Sequence, residues 1–82
     1  SKVEKFNSIK ERYKLNKEDV LFVTDALGDV KEAEIADIPT VAVTWGVHDR
    51  AYFEREKYKN LIKIVNSVDE LRTFVNAHRG AD

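Results

Sequence analysis

Eighty-two residues are enough for one small domain or a piece of a larger one, with a modest core. At 43% hydrophobic and 35% charged the chain reads as globular rather than disordered, and its net charge of -1, from 14 basic and 15 acidic residues, gives no electrostatic reason to expect nucleic acid or a membrane surface as partner. The lack of cysteine excludes a disulfide framework, a thiol nucleophile and a thiolate zinc site, and it fits a cytoplasmic location; no apolar run approaches membrane-spanning length, and the charged N-terminus does not read as a signal peptide.

Val3, Phe6, Ile9 and Tyr13 recur at spacings of three and four, which predicts an amphipathic helix over residues 3–14. A polar connection, residues 15–19, leads into the β-prone run Val20-Leu21-Phe22-Val23-Thr24, the pattern of a strand covered on both faces. Val30, Ala33 and Ala36 predict a second helix from about Asp29 to Asp37, stopped by Pro39. Thr40 to Thr44 reads as a second buried strand, residues 50–58 as a helix with the solvated charge run Glu54-Arg55-Glu56-Lys57, and Leu61 to Val65 as a third strand. Ser67 and Glu70 form a capping box that opens a last helix with Leu71, Phe74 and Val75 inward, and Gly80-Ala81-Asp82 is an expected frayed tail.

The order α-β-α-β-α-β-α predicts a three-layer, Rossmann-like α/β/α arrangement with about three parallel strands. An acid at the carboxyl end of a buried strand stands where open α/β sheets bind ligands, and Asp25 occupies that place with Asp29 four residues on. Two acids there suggest a hard cation and phosphate chemistry. Spacing alone leaves a second reading open, in which both acids merely cap a helix and complement its dipole. A helix of about 12 residues spans about 18 Å and a five-residue strand about 17 Å. Lys2, ahead of the first helix, should therefore return to the same sheet edge as Asp25.

Lys2, a helix, and then VLFVTDALGDVKEAEIADIPTVAVTWG resemble the C-terminal half of a haloacid-dehalogenase (HAD)-superfamily hydrolase, most closely the phosphoglycolate-phosphatase-like members. The family's Gly-Asp-x-x-x-Asp motif reads here Thr24-Asp25-Ala26-Leu27-Gly28-Asp29, with threonine in place of glycine, and the Ile-Pro-Thr turn and the Trp45-Gly46 pair match as well. The resemblance makes residues 1–82 the C-terminal part of a HAD-like domain, without the nucleophile half and cap. It implies Mg²⁺ held by Asp25, with Asp29 holding a metal-bound water or orienting the lysine, and Lys2 stabilising negative charge; Lys5 is the fallback for Lys2. His48, after the second strand, is a candidate contact to a small phosphorylated substrate, with Asp49 beside it. Trp45 reads as packing, and His78 carries no assigned role.

The family's first motif, Asp-x-Asp, occurs nowhere in these 82 residues. Without that nucleophile the covalent route is closed, so the chain alone is expected to be inactive as a phosphatase. Two alternatives stand beside this reading: a non-catalytic, self-associating α/β module, and a subunit completed by another chain that carries the nucleophile. The apolar first strand would serve either as an exposed sheet edge, for a homodimer or for a complementing N-terminal half.

Overall fold

A computed structural model describes residues 2–79; the tail Gly80-Ala81-Asp82 lies outside the described residues. Helix α1 (Lys2–Tyr13) and a 3-10 turn (Lys17–Asp19) lead to β1 (Phe22–Thr24), α2 (Leu27–Ile35), β2 (Thr40–Val43), α3 (Arg50–Glu54), β3 (Leu61–Val65) and α4 (Val68–Arg79). The sheet order is β1-β2-β3 and both pairings are parallel. This is the expected α/β arrangement, with β2 central and β1 and β3 at the edges.

Alternation along the strands divides the core into layers. On one face Ala42 packs with Val30 of α2 and Phe53 of α3, while Phe22 joins Ala33, Ala36 and Ile38 under Val3 and Phe6 of α1. Phe6 meets Phe22 edge to face, with ring centroids 4.8 Å apart. On the other face Val41, Val43 and Val65 pack against Leu21 and against Leu71 and Phe74 of α4. Only the first half of the expected α1 stripe is used: Val3 and Phe6 pack inward, whereas Ile9 and Tyr13 are exposed.

The boundaries differ from expectation for identifiable reasons. The ladder of β1 starts at Phe22, whose N–H donates to the Pro39 carbonyl at 2.9 Å. The next ladder bond upstream would need a donor from residue 39, and proline has none. Helix α2 ends before Pro39 because Asp37 adopts the left-handed region at φ 57°, with Asp37 N–H donating to Glu34 O and Ile38 N–H to Ala33 O. That is a Schellman ending. Helix α1 ends the same way at Lys14, φ 54°, with Lys14 N–H to Glu11 O and Leu15 N–H to Lys10 O. Helix α3 is short and buries one residue, Phe53; of the exposed charge run only Glu54 is on the helix, while Arg55, Glu56 and Lys57 follow it in a turn. The Ser67 hydroxyl caps α4 by accepting from Glu70 N–H at 3.1 Å, while the Glu70 carboxylate reaches one residue further back, to Asn66 N–H.

One expectation about β1 is only half met. The apolar run predicts a strand covered on both faces, yet Val23 is 40% exposed at the sheet edge and only Thr24 is buried. Among the described residues, no helix is long and apolar enough to cross a membrane.

Candidate functional site

At the carboxyl end of β1 the chain turns through Asp25 and Ala26 into α2. Ala26 is the N-cap of α2 and receives no side-chain cap. Its own N–H donates to the Thr24 hydroxyl at 3.1 Å, and that hydroxyl donates in turn to Asp29 Oδ2 at 2.8 Å. Thr24 is buried, and its hydroxyl both donates and accepts a hydrogen bond. The other oxygen of Asp29, Oδ1, lies 3.3 Å from the Lys2 ammonium. Lys2 is itself fixed at the start of α1, where its backbone N–H donates to Glu32 on α2 at 3.2 Å. Lys2, Thr24 and Asp29, from three elements, therefore form one connected network. Lys5 has no part in it; it lies further along α1 beside Glu4, Ser8 and Ile9.

Neither acid caps the helix. Both oxygens of Asp29 are engaged by Thr24 and Lys2, and the N-cap N–H goes to Thr24, so the capping interpretation of this pair does not describe the geometry; the favourable placement of Asp29 in the first turn of α2 remains. Asp25 is half-buried and makes no hydrogen bond or ion pair among the described residues. A carboxylate partly withdrawn from water and left without a protein donor is chemically suited to a hard cation such as Mg²⁺, which takes oxygen ligands and uses only one or two carboxylates. Asp29 already accepts from the Thr24 hydroxyl and pairs with the Lys2 ammonium, which suits it to orienting a cationic side chain.

Opposite Asp25 stands Gly46, in the loop after β2. A Cβ built on Gly46 would lie 2.1 Å from Asp25 Oδ2 and 2.5 Å from its Cβ, so the carboxylate lies directly against the glycine backbone. Thr24 and Gly46 are the two site residues that sequence reasoning undervalued. In the sequence Thr24 reads only as a replacement of the family's glycine, and Gly46 only as half of a matching pair.

The loop that carries Gly46 also carries His48. The imidazole stacks on Tyr52 at 3.9 Å between ring centroids and meets Phe53 edge-on at 5.9 Å. It is thus engaged with α3, and the structure does not join it to the Lys2–Asp29 network. Asp49 is the N-cap of α3, accepting from Tyr52 N–H at 3.0 Å. Trp45, expected to pack, is instead 48% exposed, and His78 stacks on Phe74 within α4.

Comparison with known proteins bears on these residues at the level of family. The family model described as HAD-hydrolase-like matches residues 3–71. Among curated proteins and among solved structures nothing matches. The matched span takes in all three parallel strands and both acids, and the chain belongs to the HAD-like hydrolases.

Proposed function

We propose that this chain is the metal-binding half of a Mg²⁺-dependent HAD-type phosphatase acting on a small phosphorylated metabolite. The observation that carries the reading is the half-buried Asp25 carboxylate, unpaired among the described residues, at the carboxyl end of β1 and one helical turn ahead of Asp29, which pairs with Lys2. Asp25 would hold the ion. Bound there, Mg²⁺ would neutralise phosphoryl charge, which is most of what phosphoryl transfer asks of a protein. Asp29, held by Thr24, orients the Lys2 ammonium so that its charge faces the developing anion. His48 is the candidate substrate contact on the neighbouring loop.

These residues contain no Asp-x-Asp, so turnover requires a nucleophile from elsewhere. The edge position of β1 favours a segment that adds a strand there: a parallel strand beside β1 would bring its own carboxyl-end residues next to Asp25. The same exposed edge supports the second reading, association of two copies of the module.

The test is a Mg²⁺ titration followed by backbone amide shifts. Residues 25–30 should respond in the native chain and stay still in Asp25→Asn. A response that survives Asp25→Asn would sink the ligand assignment. The chain alone should show no Mg²⁺-dependent phosphatase turnover, and activity should appear on mixing with a chain that supplies an Asp-x-Asp strand.

A further inference from the structure

We infer that Gly46 is the positioning residue of Asp25: its missing side chain is the space in which the Asp25 carboxylate is seated. A glycine is usually kept for a backbone conformation that other residues avoid, but Gly46 does not have a positive φ, and alanine would be tolerated there on backbone grounds. The atoms that alanine would meet first all belong to one side chain. The three nearest atoms to a Cβ at position 46 are Asp25 Oδ2 at 2.1 Å, Asp25 Cβ at 2.5 Å and Asp25 Cγ at 2.7 Å. Non-bonded carbon atoms settle at about 3.5–4.0 Å, so either the carboxylate or the loop must give way. Asp25 has no hydrogen bond among the described residues to hold it against that push. Asp25 therefore keeps this seat only while position 46 lacks a side chain. Gly28, in the same motif, has open space where its Cβ would be, so the constraint belongs to Gly46 and not to glycines near the site in general.

The functional meaning of this contact rests on Asp25 being the metal carboxylate, while the contact itself does not, and the experiment separates the two. Urea unfolding is compared for Gly46→Ala in three backgrounds: native, Asp25→Asn and Asp25→Gly. Overpacking of this kind should lower the folding equilibrium constant about tenfold or more in the native background. The loss should persist in Asp25→Asn, which keeps the shape, and vanish in Asp25→Gly, which removes every atom of the overlap. If Gly46→Ala in the native background does not fold, recovery of the fold by Asp25→Gly supports the assignment and failure to recover overturns it. Equal losses in all three backgrounds, or no loss in the native one, also overturn it. A second readout is the carboxyl ¹³C shift of Asp25, which should move in Gly46→Ala; an unmoved signal contradicts the seating. Failure of Asp25 to respond to Mg²⁺ would count against the metal assignment and leave these outcomes standing.

Discussion

The Lys2 ammonium lies 3.3 Å from Asp29 Oδ1, although the two residues are separated by a helix, a turn and a strand. The pair is not a stability device. The side chains are 46% and 24% exposed, and pairs of that kind contribute about 0–1 kcal/mol after screening. Lys2→Met should therefore shift the urea midpoint little. In an enzyme completed by an Asp-x-Asp strand, the same substitution should lower kcat about 100-fold, the usual effect of removing one charge-stabilising group. A parallel fall in stability and kcat would assign the pair to structure instead.

The two Schellman endings predict opposite outcomes for the same substitution. Lys14 is exposed and has the left-handed conformation at φ 54°, where a side chain is a burden and glycine is not. Lys14→Gly should stabilise the chain by about 1 kcal/mol, the left-handed penalty of a side chain less the extra chain entropy of glycine. Asp37 has nearly the same φ, 57°, but its Oδ1 accepts from Asn60 Nδ2 at 3.1 Å and from Lys17 at 3.4 Å. Asn60 is buried, and it also ties β3 to α2 through its N–H to Glu34. Asp37→Gly should destabilise, because an amide left unsatisfied in the interior outweighs the relief of backbone strain. Thermal unfolding of the two variants side by side checks the sign.

The same carboxyl makes a pH prediction. The Asn60 amide hydrogen bond is the largest influence on Asp37 and lowers its pKa below 3.8; desolvation opposes it, and Lys17 adds to the lowering. A folded-state value below the unfolded one means that the unfolded chain binds the proton more readily. The stabilisation is therefore present above the unfolded value and is lost as pH falls through the folded one. The stability difference between the native chain and Asp37→Asn should be constant near neutrality and narrow below about pH 4. A difference that does not change with pH would remove Asp37 as the source.

Element identity was legible because burial on the two faces of a parallel sheet writes itself as apolar runs, as in residues 20–24 and 40–44. The motif acids were legible from spacing and resemblance. What hid was set by partners distant in sequence. The late start of β1 depends on Pro39, a residue of the next connection, and the end of α2 on a left-handed aspartate that Asn60 holds. Thr24 looked incidental until its hydroxyl was placed between Ala26 N–H and Asp29. Gly46 could not be read at all without Asp25 opposite it, since a sequence records a missing side chain but not what fills the space.

The edge of β1 carries the last prediction. Val23 is 40% exposed on a strand whose outer backbone groups have no partner strand in the order β1-β2-β3. A groove lined by Val20, Leu21 and Val23 of this edge and by Val75 and His78 of α4 runs beside it, with Glu18 and Asp19 at its start. An apolar floor next to unpaired strand groups favours the addition of another strand, and a lysine on such an edge opposes it. Sedimentation of the native chain should show a mass that rises with concentration, and Val23→Lys should hold it at the monomer. Because Val23 is at the rim of the α4 layer and not among its fully buried residues, the variant should keep the native fold by circular dichroism. The same variant should weaken any activity gained by mixing with an Asp-x-Asp strand. If Val23→Lys abolishes self-association but leaves complementation intact, the two partners use different surfaces, and the nucleophile enters elsewhere than beside β1.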